Sequence, residues 1–224
     1  MSRFFTLSLL CLIGSLVSLA IAEEPKAKPA DPKGDKKDDT PWQPLFNGKD
    51  LEGWKKTNFG GEGEVTVEDK CLVIDMGGPL SGITWKAKEP PHKMNYEIRL
   101  EAKRAKGTDF FCGLTFPVND AHCSFIVGGW AGGVVGLSSI NDFDASENGT
   151  TTYREFKNDK WYKFRVRVTK EAIECFIDDE RVVNQEVKDQ KFSTRIEVDS
   201  SKPLGLATYE TKAIIRNFEI RPLK

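Results

Sequence analysis

The residues best equipped for chemistry cluster in "HCSFIVGGWAGG", residues 122–133, and in the acidic stretch that follows. His122 is one of two histidines in the chain. An accessible imidazole titrates near neutrality, so it can take a proton from a substrate. "SSINDFDASENGTT" then supplies Asp142, Asp144 and Glu147. These carboxylates can act as bases or offer hard oxygen ligands to a divalent cation such as Ca2+, although EF-hand spacing is absent; a solvated loop fits the same residues. Asn148-Gly149-Thr150 forms an N-glycosylation sequon, usable only in a host with that machinery.

Trp130 is flanked by Gly128, Gly129, Gly132 and Gly133 rather than by aliphatic neighbours. An indole beside bare backbone suits the apolar face of a sugar ring, with glycine permitting close approach. The competing expectation is a tryptophan that closes one end of the fold, its glycines serving only tight turns. A phosphate loop is disfavoured, because the Gly-Lys-Ser/Thr ending is missing.

Such residues need elements to hold them. "MNYEIRLEAK" and "WYKFRVRV" alternate apolar and charged residues with period 2, as half-exposed antiparallel strands do. "AIECFID" turns through "DDE" into "RVVNQEV", a hairpin signal, and no stretch shows a capped helical period. The class expected is all-β, a sandwich of two antiparallel sheets, with a closed barrel as the alternative. "DFFCGLTF" (109–116) and "HCSFIVGGW" (122–130) read as paired strands joined by "PVNDA". A symmetric turn sets Cys112 opposite Cys123, either as a cross-strand disulfide or as two small buried residues. Alternation gives Phe110, Cys112, Leu114, Phe116, Cys123, Phe125 and Val127 to the core. Phe111, Thr115, Ser124 and Trp130, with His122, then share the other face as candidate sugar contacts.

The net charge of −1 over 224 residues carries no nucleic-acid footprint. Residues 1–22, with Arg3, an apolar run and "AIA", read as a cleaved signal peptide, which implies a secreted or periplasmic protein with no stable membrane span after cleavage; a retained anchor is the competing reading. Residues 23–40 are rich in Lys, Pro and Asp and form a tether. Residues 41–224 make one domain. Cys71, Cys112, Cys123 and Cys175 remain in it, and an exported compartment permits disulfides among them.

"LFNGKDLEGW" (45–54) and "IIRNFEIRPL" (214–223), with "KNDKWYKFRVRVTKEAIECFIDDERVV" between them, resemble the 3-keto-disaccharide hydrolase domain family across essentially the whole domain. The resemblance implies a concanavalin A-like, laminin G-like jelly roll with a glycan-binding face. It also implies elimination chemistry on a sugar oxidised at C3, which requires a base and a group that holds enolate charge. "DFFCGLTF" and "HCSFIVGGW" stand where that family carries an "NSGI" strand with an Arg and a "YExQIxD" strand, so no catalytic residue transfers across this stretch. The expectation is a secreted carbohydrate-active hydrolase or lyase with His122 and the acidic loop near the chemistry. Its alternatives are a non-catalytic lectin-like module and a protein-interaction domain of laminin-G type.

Overall fold

The computed structural model describes residues 40–224. The signal segment 1–22 and residues 23–39 of the tether lie outside the described residues. Among the described residues no helix is long and apolar enough to cross a membrane.

Fifteen strands follow in chain order: β1 (Gln43–Pro44), β2 (Trp54–Lys56), β3 (Val65–Glu68), β4 (Cys71–Ile74), β5 (Leu80–Trp85), β6 (Tyr96–Gly107), β7 (Cys112–Val118), β8 (Ala121–Gly129), β9 (Val134–Ser138), β10 (Thr152–Tyr153), β11 (Tyr162–Val168), β12 (Ala172–Ile177), β13 (Glu180–Glu186), β14 (Gly205–Tyr209) and β15 (Thr211–Pro222). A short 3-10 turn spans Ile196–Ser201. One antiparallel sheet runs β13-β12-β11-β6-β15-β4-β3, with β1 also on β15; the other runs β10-β9-β8-β7-β14-β5-β2. The fold is therefore an all-β sandwich.

Alternation explains the layers. On β6 Tyr96, Ile98, Leu100 and Ala102 are buried, as are Tyr162, Phe164, Val166 and Val168 on β11 opposite. They meet Cys112, Leu114, Phe116, Cys123, Phe125 and Val127 from the second sheet in one continuous core. Burying such side chains contributes about 1.5–3 kcal/mol each.

The opening and closing motifs meet in this core. Leu45 N–H donates to the Phe218 carbonyl (2.8 Å), the Trp54 indole N–H donates to the Leu45 carbonyl (2.7 Å), and the Trp54 and Phe218 rings lie 5.3 Å apart. Asn47 Oδ1 accepts the N–H groups of Lys49 and Asp50, which fixes the turn between them. Both motifs thus hold architecture together.

The β7–β8 hairpin differs from the symmetric five-residue turn. Val118 pairs with Ala121, so only Asn119 and Asp120 form the loop, and Cys112 faces Val127 while Cys123 faces Phe116. Four ladder positions, roughly 13 Å of strand, separate the two cysteines. That exceeds disulfide reach, and Cys71, Cys112, Cys123 and Cys175 are all free thiols. Burial pushes the Cys112 and Cys123 thiols up to about 12 and Cys175 well above the usual thiol range. A thiol that does not ionise does not exchange.

Phe111 also departs from expectation. It is fully buried, with ring centroids 5.3 Å from Phe156 and 5.9 Å from Phe164, while Phe110 takes the outward place. Strict alternation begins only at Cys112. On β8 the register shifts between Val127 and Gly129. Gly128 sits in that bulge at φ +77°, and a Cβ there would stand 3.3 Å from the Phe111 ring.

Candidate functional site

On the face of the β10-to-β2 sheet turned away from the core, ladder partners line up the hydroxyl residues Thr84, Thr115, Ser124 and Ser138 in one row, with Gly205 between Thr84 and Thr115. Thr115 and Ser124 are buried and share a 2.8 Å hydrogen bond. The 196–201 turn lies on this row, with Thr84 Oγ1 donating to the Ser200 carbonyl at 2.8 Å. Ser138 Oγ is buried and has no hydrogen-bond partner.

Beside the row a cavity of about 240 Å3 opens. Phe110, Trp130 and Tyr209 give it aromatic walls, and Leu80, Ile126 and Val198 an aliphatic floor. Asp109, Ser138, Arg195 and Glu197 are its polar lining. Trp130 is 41% exposed and so lies outside the core. Its loop is tied down by Asp109, whose Oδ2 accepts the Ala131 N–H (2.8 Å) and whose Oδ1 accepts that of Phe110 (2.7 Å). The neighbouring glycines answer to the protein's own packing: a Cβ at Gly132 would lie 2.6 Å from the Thr108 carbonyl.

Arg195 is the electrostatic centre. Its Nε donates to Glu197 Oε1 at 2.8 Å, its Nη1 pairs with Asp144, and its guanidinium carbon lies 5.7 Å from the Trp130 ring centroid. Desolvation pushes the Glu197 carboxyl up, but the hydrogen bonds from Arg195 and from its own backbone N–H outweigh it. The net position is below 4.5, so Glu197 is ionised at neutral pH.

The other candidates fall in different places. Asp144 reaches the cleft only through Arg195, and its Oδ1 accepts from Ser146 N–H and Oγ–H. Asp142 is exposed and paired with Lys191, and Glu147 is exposed. Among the described residues no group of three or more His, Cys, Asp or Glu side chains gathers in a way that could hold a metal ion. The Asn148 side-chain amide donates to the carbonyls of Leu137, Phe143 and Asp144, a stitch that holds the loop.

His122 sits at the start of β8, opposite Pro117. Eight strand residues, roughly 25 Å, separate it from Trp130. Burial lowers its pKa below 6.5, Lys202 and Lys93 add to that, and Asp199 opposes it, so the ring is neutral at pH 7. It does not line the cleft.

The model of the 3-keto-alpha-glucoside-1,2-lyase-like domain matches residues 41–221. The chain belongs to this family. No curated protein matches it. Among solved structures, this lyase-like domain is similar to a provisionally named glycosyl hydrolase from Parabacteroides distasonis ATCC 8503 (16% identity, 82% of this chain and 94% of that one, TM-score 0.51). It is also similar to a galectin-like-fold protein of unknown function from Bacillus subtilis (11% identity, 77% and 90%, TM-score 0.51) and to the Crh5 transglycosylase (15% identity, 78% and 79%, TM-score 0.50). These likenesses establish the jelly-roll fold of the lyase-like domain.

Asp109, Phe110, Ser138, Arg195, Glu197 and Tyr209 escaped the sequence reading. Arg195 and Glu197 lie in "STRIEVDS", where charged and apolar residues alternate as in a strand yet Ile196–Ser201 forms a 3-10 turn, and the fold alone carries them over the sheet. The one local signal was Asp109, an acid directly before a strand that could have been read as a loop anchor.

Proposed function

We propose that this exported domain binds a glycoside in the Trp130 cleft and acts on it as a lyase or hydrolase of 3-keto-glucosides. One observation carries the reading: an ionised carboxylate and a guanidinium stand together against an aromatic wall, in a cleft of one-ring size. Trp130 covers the apolar face of the sugar, and Ser138 Oγ is placed to bond one of its hydroxyls. A ketone at C3 makes the C2 proton acidic. Glu197 takes that proton, the electron pair forms the enolate, and the charge on the C3 oxygen faces Arg195. The C1–O bond then breaks, the aglycone leaves with the pair and gains a proton, and water adds to the unsaturated ketone.

A second reading, a lectin-like module without turnover, is favoured by the two carboxylates that already occupy Arg195. The test is release of aglycone from a 3-keto-glucoside by the purified protein. The expected outcome is turnover that falls about 100-fold or more in Glu197→Gln while sugar binding persists. Binding without turnover in the unmodified protein establishes the second reading instead.

A further inference from the structure

Resting on the cleft as a sugar site, we propose that it selects by charge, accepting neutral and basic sugar rings and rejecting uronic acids. The cleft is smaller than those that hold drug-sized ligands, so a single ring fills it and any charge on that ring meets the polar lining. Asp109 and Glu197 line it directly, and Asp144 stands behind Arg195. Two carboxylates therefore line the cleft beside one guanidinium, and a third is paired with that guanidinium.

The charge of that guanidinium is already matched by two carboxylates. Nε and Nη2 both go to Glu197 (2.8 and 2.7 Å), and Nη1 goes to Asp144. Three of its five N–H groups are used in this way, and a uronate that reaches the other two meets the like charges of Glu197 and Asp144 beside them, whereas a hydroxyl or ammonium meets no such repulsion. Arg104, a cation that feels Asp109, does not line the cleft. Its Nε donates to Asn158 and its Nη2 to the Phe156 carbonyl, with its guanidinium carbon 5.8 Å from the buried Phe111 ring. The acceptors left free on Asp109 and Glu197 suit N–H and O–H donors. The buried, unpartnered Ser138 Oγ gives the same cleft a neutral group that serves any of these sugars.

The experiment is calorimetric titration with methyl glycosides of the gluco and galacto series, each as the neutral sugar, the 2-amino sugar and the uronic acid. At low salt the uronides should bind about tenfold more weakly than their neutral counterparts, with the gap narrowing at high salt and in Glu197→Gln. Uronides that bind as tightly as neutral sugars overturn the charge selection and leave the sugar site standing. Failure of every glycoside to bind overturns the sugar site and the selection with it.

Discussion

Glu197 and His122 compete for the role of base, and they differ in titration. The hydrogen bonds of Arg195 hold the Glu197 carboxyl below 4.5, so its base form persists as the pH falls to that point. The acid limb of kcat/KM on a 3-keto-glucoside should therefore lie below pH 4.5. A limb between 4.5 and 6.5 would assign the proton to His122, whose pKa is lowered from 6.5 chiefly by burial. At this scale the sequence was informative about Trp130, whose glycine-rich surroundings mark a tryptophan outside the core. It misled at Phe110 and Phe111: period 2 was extended backward past the first paired residue, Cys112, and a bulge on the facing strand is not written in any local pattern. Arg195 and Glu197 were illegible because their alternating segment folds as a 3-10 turn, and no local pattern places such a turn over a sheet.

At the scale of elements, the β8 bulge aims the site. Gly128 lets Phe111 turn inward, which frees Phe110 to line the cleft and sends the chain into the left-handed turn of Trp130 (φ 49°) and Ala131 (φ 65°). Replacing Gly128 with Ala sets a Cβ at positive φ, 3.3 Å from the Phe111 ring, and should cost about 1–2 kcal/mol in denaturant unfolding. Gly149→Ala, with nothing near its added Cβ and no positive φ, should leave the midpoint in place. Equal midpoints for both variants would show that the bulge does not depend on glycine. The strands themselves were readable, since β6 and β11 alternate cleanly. Their registers were less so: the loop of the β7–β8 hairpin is two residues rather than five, and that difference separates Cys112 from Cys123.

At the scale of the molecule, the outer face of the β13-to-β3 sheet is a lattice of charge. Glu97, 2% exposed, accepts from Arg165 Nη1 (2.7 Å) and Arg221 Nε (2.7 Å), which ties β6 to both neighbouring strands. Trp42 packs against Arg99 and Arg221, 4.2 and 4.6 Å from ring centroid to guanidinium carbon, anchoring the start of the domain there. Glu97→Gln removes the charge that two partly exposed arginines share and should lower stability by about 2–3 kcal/mol, less than for a wholly buried pair. A loss under about 0.5 kcal/mol would show that the arginines are satisfied by solvent. The two-sheet class was legible because the signature motifs are architectural: Trp54 and Phe218 pack together, so the ends of the sequence report the fold rather than the chemistry. Whether the cleft is where a sugar lodges is tested most directly by a crystal structure of the protein soaked with a methyl glycoside. The account predicts a ring stacked on Trp130 within hydrogen-bonding reach of Ser138 and Glu197; a ring bound at the His122 end of β8, with the cleft empty, would contradict it.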